Sequence, residues 1–234
     1  MTVTSRTRAQ SRSGRPLAFA REDAVESAMH LFWRKGFTGA TARDLAAAMS
    51  IQRSSFYNTF DTREAVFREA LRRYGTLAPD APLDDVQPGE PVVALLVSSL
   101  REVCRVRAAD TQARGCLVCN SISELVQVDE ELGPLIASAV QARIVKVERL
   151  LRQAEAQGEL RVLTDIPGAA RSFVAFLVGL NTLSKVVRDE RQLWASCKAF
   201  LAGLGVPNGA IETGRPVGSP RTARRRRTGD SHPA

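Results

Sequence analysis

Histidine, cysteine and aromatic residues are scarce in this 234-residue sequence: two His, four Cys, and 6% Phe, Trp and Tyr together. The two histidines are His30 and His232, and only one C-x-x-C occurs, Cys116 and Cys119, so the composition speaks against a four-ligand zinc site. An enzyme with a cysteine nucleophile would need a base close by, and His30 falls in a segment with another assignment below, so no enzyme is expected. Four cysteines, two of them three apart, are too few and too clustered for a disulfide framework. Free thiols in a reducing compartment are the expectation. Long apolar runs are also missing: Phe173 to Leu180 is about half of the roughly 20 residues that span a bilayer. Residues 1–15 are rich in Arg, Ser and Thr and lack the apolar centre of a secretory signal. A cytoplasmic chain without a membrane partner is expected.

What is present is positive charge, and it sits at the ends. Arg6, Arg8, Arg12 and Arg15 give residues 1–15 a charge of +4, and the segment 206–234, with Arg224 to Arg227, carries another +4. These account for the whole net charge of +8, leaving 16–205 neutral. Both ends are poor in large apolar residues, so 1–15 is expected as a disordered basic arm and 206–234 as a disordered basic tail. Basic arms suit a polyanion such as a phosphate backbone, although plain solubilising tails have the same composition.

Between the arms the periodicity is helical and the fold class is all-α. Val25, Ala28, Met29 and Phe32 stand at i, i+3, i+4 and i+7 in a helix predicted from Arg21 to Lys35 and ended by Gly36. Thr41 is placed as the N-cap of a second helix. Ser50, Ile51 and Gln52 make a turn, a third helix runs from Arg53 to Phe60, and a fourth ends near Tyr74 and Gly75. The proline-rich, acidic stretch from Ala78 to Pro91 reads as a linker or loop. Longer helices follow, from Pro91 to Ala109, Glu131 to Ala156, Pro167 to about residue 188 and Arg191 to Gly203, with a short apolar one from Gly115 to Val126. The pattern gives an N-terminal unit over 16–75 and a larger helical unit over 76–205. The Pro167 helix is apolar nearly all round, so it and the last helix are expected to pack against their copies in a second chain. A central core helix in a monomer is the alternative.

Residues 41–60 have the layout of a helix-turn-helix, whose second helix enters a major groove. Leu45, Met49, Ile51, Phe56 and Phe60 are spaced to pack the two helices together. Outward on the second helix remain Arg53, Ser54, Ser55, Tyr57, Asn58 and Thr59, short or hydrogen-bonding side chains suited to base edges and phosphates. The solvated face of an ordinary helical hairpin would look similar.

The stretch Arg21 to Tyr74 resembles the DNA-binding domain of the TetR family of bacterial transcriptional regulators. Leu31, Phe32, Gly36, Phe37, Thr41, Asp44, Leu45, Ala46, Tyr57, Phe60, Glu64 and Ala65 carry the likeness. The resemblance implies a homodimeric, all-helical repressor of a double-stranded DNA operator, released when a small-molecule inducer binds the C-terminal domain. Residue by residue, it implies that Thr41 offers its hydroxyl to a phosphate, that Arg43 reaches the backbone or a groove edge, and that Arg53 binds phosphate or guanine. Ser54 and Ser55 match positions that approach the groove, Tyr57 a phosphate-contacting tyrosine, and Arg63 a phosphate clamp on the fourth helix. Arg12 and Arg15 would form a minor-groove arm. Three positions depart from the pattern: Ala20 where a capping Asp or Ser is common, Ser50 where Gly is usual, and Asn58 in place of a common His.

The inducer site is less legible. Cys116 and Cys119 could be a thiol or electrophile sensor, the alternative mode of release, or two small buried hydrophobes. A mostly apolar cavity among the long helices is the leading expectation, with Leu100, Cys104, Cys116, Asn120, Phe173, Phe176 and Leu177 as its candidate wall. No cofactor and no metal are expected.

Overall fold

The computed structural model describes residues 16–160 and 163–213. The proposed arm residues Arg12 and Arg15, and the tail beyond 213, lie outside the described residues. Ten α-helices and one 3-10 turn, and no strand, are found among the described residues. They are α1 (Pro16–Lys35), α2 (Ala42–Ala48), α3 (Arg53–Phe60), α4 (Arg63–Leu77), the 3-10 turn Ala81–Asp84, α5 (Val92–Ala109), α6 (Leu117–Leu125), α7 (Leu132–Ala156), α8 (Ile166–Leu183), α9 (Glu190–Gly203) and α10 (Asn208–Thr213).

Local sequence sets most of these boundaries. Thr41 and Asp44 form a reciprocal capping box at the start of α2. Thr62 caps α4 through the Ala65 amide at 3.1 Å, Asp165 caps α8 through Gly168 at 2.8 Å, and Asp189 caps α9 through Gln192 at 3.0 Å. Each cap contributes about 1 kcal/mol. Beyond Lys35 the chain turns at Gly36, φ +74, and the Glu124 carboxylate lies 2.7 Å from where a side-chain carbon would stand there. Only glycine meets both conditions.

Two clusters of buried side chains organise the fold. The first joins α1 to α4 around Phe32, Phe56 and Phe67 and extends into α6 and α7 through Leu117, Leu125, Leu132 and Ile136. The second fills the space between α5, α7, α8, α9 and α10. The N-terminal unit thus shares its core with α6 instead of hanging from a linker. The predicted linker is itself packed: Leu83 and Val86 are buried in the second cluster, and Lys146 Nζ donates to the Asp84 carbonyl at 2.6 Å.

Four sequence expectations need correcting. α1 begins at Pro16, so Ala20 is inside the helix and not at its cap. α4 continues past Tyr74 and Gly75 to Leu77. α8 stops at Leu183, where Ser184 closes it, short of the expected residue 188. Residues 206–213, assigned to a disordered tail, instead carry α10, with Val206, Ala210 and Ile211 buried. Two apolar side chains four and five residues beyond Val206 dock this segment on α5 and α9, and Arg101 Nη2 donates to the carbonyls of Ile211 and Glu212 at 3.0 and 3.2 Å. Composition averaged over a basic tail hid that short apolar stretch.

Candidate nucleic-acid interface and internal cavity

The reading head is built by two aromatic residues facing inward. Phe56 is fully buried and Phe60 nearly so, their ring centroids 5.8 Å apart, and with Leu45 and Met49 they clamp α3 onto α2 and α1. Because those two are four apart, the rest of α3 faces away: Arg53, Ser54, Ser55, Tyr57, Asn58 and Thr59 are all exposed. Arg43 on α2 is exposed as well. The turn between the helices places Ser50 at φ +57, the left-handed conformation that glycine adopts without penalty. Arg53 lies over the Tyr57 ring at 5.8 Å. Arg21 holds the end of α3, donating to the Thr59 carbonyl at 2.9 Å and to Glu69 at 2.6 Å.

Two residues of the predicted interface have hydrogen-bond partners within the chain. Thr41 is exposed, and its Oγ donates to Asp44 Oδ2 at 2.9 Å beside the capping box. The same hydrogen bonds hold the Asp44 carboxyl below its ordinary range. Arg63 is half-buried: Nη1 donates to the Ala40 carbonyl at 2.9 Å and more weakly to Phe37, while the guanidinium stacks on the Phe37 ring at 4.4 Å. Through Nη1 it ties α4 to the α1–α2 turn.

Behind the reading head, a cavity of about 150 Å³ lies between α4, α6, α7 and α8. Its wall is mostly apolar, from Val118, Ile122, Val140, Val174 and Val178, with Tyr74, Asp80, Arg143 and Asn181 as polar points. Of the seven predicted wall residues, Cys116 and Leu177 line it. Leu100 and Phe173 are plain core of the second cluster. Cys104 faces Cys197 at 3.5 Å between α5 and α9. Phe176 stacks on Phe200, centroids 4.2 Å apart, and Asn120 donates to the Arg114 carbonyl at 2.8 Å as a loop cap. These five belong elsewhere because helical periodicity reports that a side chain faces inward, not which of two inner spaces it meets.

The residue that sequence reading missed is Arg107, 2% exposed. Its Nε donates to Asn181 Oδ1 at 2.7 Å and its Nη2 to the Tyr74 hydroxyl at 2.9 Å, both partners on the cavity wall. The signal was there: Arg107 follows Leu100, Val103 and Cys104 at i+7, i+4 and i+3, a cation on an apolar stripe. Arg143 and Asn181 interrupt apolar stripes in the same way. Next to this cluster, hydrogen bonding from Cys119, together with Tyr74 and the Arg107 charge, brings the Cys116 thiol down to about 6, while Cys119 and Tyr74 are pushed up. All four cysteines are free thiols.

The cavity wall is strapped to the reading head. Glu124, at the far end of α6 from Cys116, accepts from the Thr38 amide at 2.7 Å in the α1–α2 turn. Trp33 Nε1 on α1 donates to the Gly115 carbonyl at 3.1 Å, just before α6. Gly115 has φ +67, and a side-chain carbon there would meet the Asn181 carbonyl at 2.9 Å.

Comparison with known proteins agrees with this arrangement. The family model described as bacterial regulatory proteins, tetR family, matches residues 24–70, and a tetracyclin repressor-like C-terminal domain matches 95–200. The repressor BdcR of Escherichia coli (strain K12) is 34% identical over 119 residues, 50% of this chain and 59% of that protein, so the match spans little more than half of that relative. The repressor ComR of the same organism is 23% identical over 72% of this chain and 80% of its own length. Among solved structures, a cysteine-substituted TetR family regulator CifR, complexed with 26-bp operator DNA, is 28% identical with a TM-score of 0.70, covering 80% of this chain and 98% of that one. The reduced form of Escherichia coli NemR shares the fold at 19% identity and a TM-score of 0.70, over 81% of this chain and 99% of that one.

Proposed function

The chain belongs to the tetR family of bacterial regulatory proteins, and from that premise we propose that it is a sequence-specific transcriptional repressor, released from its operator by a small molecule in the cavity behind the reading head. The observation that carries the reading is α3: two buried phenylalanines hold it, and six exposed polar residues cover the rest of an eight-residue helix. Asn58, Ser54 and Ser55 approach base edges, while Arg53, Tyr57 and Arg43 meet the phosphate backbone.

The repressor acts in the cytoplasm as a homodimer. Two copies of α3 must sit about 34 Å apart to enter successive major grooves. The outward faces of α8 and α9 supply the contact: Ala175, Gly179, Ala195, Ala199 and Ala202 are exposed and small, which lets helices approach closely, and Leu183 at the end of α8 and Val186 in the turn after it are exposed and apolar. An inducer shifts the equilibrium only by binding one spacing of the reading heads better than the other. The route from cavity to head runs through α4, which supplies Tyr74 to the wall, and through the Glu124 and Trp33 straps of α6 and its preceding loop to α1. Titration of its own upstream DNA against a shuffled duplex tests the reading; equal affinity for both at every salt concentration overturns it.

The thiol mode of release is a second reading, favoured by one observation. Cys116 lines the cavity, and hydrogen bonding from Cys119, together with Tyr74 and the Arg107 charge, lowers its thiol below the ordinary range, toward the form that attacks electrophiles.

A further inference from the structure

Two thiols meet between α5 and α9, away from the cavity. Cys104 and Cys197 are 93 residues apart in sequence, 1% and 0% exposed, with their sulfurs 3.5 Å apart. Leu100 lies one turn from Cys104 on α5, and Leu193 and Leu201 lie one turn either side of Cys197 on α9, all three buried. A single buried cysteine in such packing is an inert small hydrophobe. Two in mutual contact are a prepared pair: the sulfurs have to close by about 1.5 Å to reach the bonding distance of about 2.05 Å.

The pair can be reached from one side. A groove of about 220 Å³ is walled by Arg101, Glu190, Arg191 and Trp194, with the Arg101 guanidinium over the Trp194 ring at 4.2 Å, and Cys104 forms part of its lining. So little of Cys104 is exposed that a small oxidant reaches its sulfur more readily than a bulky one. The hydrogen bond from Cys197 lowers the Cys104 thiol from its ordinary value, and the same bond pushes Cys197 up. Access and acidity thus both make Cys104 the attacking sulfur.

We propose that Cys104 and Cys197 are a redox-labile pair, oxidised by a hydroperoxide to an intramolecular disulfide that pins α9 to α5. In the first step the Cys104 sulfur attacks one peroxide oxygen; the S–O bond forms, the O–O bond breaks, and the departing hydroxide takes up the thiol proton as water. In the second, the Cys197 sulfur attacks the sulfenic sulfur; the S–S bond forms, the S–O bond breaks, and a second water leaves with the Cys197 proton. Two thiols lose two electrons and one peroxide gains them. The opposite face of α9 carries the exposed Ala195, Ala199 and Ala202, so the link stiffens the helix proposed for dimer contact. The assignment goes beyond the repressor reading and holds whether or not the chain binds DNA.

The experiment treats the full-length chain with equimolar hydrogen peroxide, blocks remaining thiols with N-ethylmaleimide and maps tryptic peptides. Cleavage after Arg101, Arg105, Arg191 and Lys198 isolates residues 102–105 and 192–198, and the expected product is those two peptides joined with loss of two hydrogens. The same oxidised protein melts about 5–10 °C higher, and dithiothreitol, itself oxidised to its cyclic disulfide, restores the original Tm. With Cys197→Ala the second step is blocked, and dimedone labels Cys104 as its sulfenic acid. Absence of the joined peptide overturns the proposal, as does oxidation confined to Cys116 and Cys119, which fall together in the peptide 115–143. A joined peptide with Tm unchanged or lowered overturns the claim that the fold is prepared for the bond. Should Cys197→Ala fail to fold, the peptide map and melting of the natural protein decide alone.

Discussion

Replacing Arg53 by Gln removes one exposed cation from the start of α3 while leaving the fold intact, because the side chain is exposed and its guanidinium lies over the Tyr57 ring, 5.8 Å from its centroid. If Arg53 neutralises a phosphate, each dimer gives up two phosphate contacts. Each contact contributes about 0.9 to the slope of log affinity against log salt, so the variant's slope is shallower by about 1.8. Between about 50 and 200 mM salt, this makes the variant's deficit about 12-fold larger at the low end than at the high end. The assay is fluorescence anisotropy on the upstream duplex across that range, with thermal denaturation as the control for folding. Parallel slopes for the two proteins would refute the reasoning, whatever the affinities.

Ser50→Gly relieves the left-handed turn residue and raises unfolding stability by roughly 0.5–1 kcal/mol in urea titration, the αL penalty less the extra chain entropy of glycine; a loss of stability would contradict the turn's strain. Glu124→Gln weakens the strap to the Thr38 amide, and the expected result is unchanged affinity for the operator but a smaller effect of any inducer on it. Equal inducer effects would show that α6 does not transmit the signal. For Cys116, a thiol whose folded value is lowered to about 6, the thiolate is present above that pH and lost below it. Alkylation by iodoacetamide should therefore be half-maximal near pH 6, and Cys119→Ala, which removes the hydrogen-bond donor, should move that midpoint upward toward the ordinary thiol range. A midpoint already in the ordinary range would remove the basis for thiol release.

The reading head was the most legible part of the sequence because its information is local. Phe56 and Phe60 stand four apart and Thr41 precedes Asp44 by three, so spacing alone orients α3 and caps α2. Arg63 and Thr41 show the limit: a polar residue at an expected contact position can also bond a nearby carbonyl or carboxylate, which only coordinates reveal. The cavity was poorly legible for a different reason. Its helical polar points, Tyr74, Arg143 and Asn181, come from three helices distant in sequence, and each looks like an imperfection in its own apolar stripe until the helices are brought together. The α10 segment was missed because six helical residues cannot outweigh the arginine-rich chain that follows them.

The central claim is that the exposed side of α3 reads bases, and Asn58→Ala tests it most directly. With affinities for the upstream duplex and for a shuffled duplex measured side by side, the variant should lose about 1–3 kcal/mol per base contact on the upstream sequence and nothing on the shuffled one. A loss that is equal on both duplexes, or no loss on either, would contradict it.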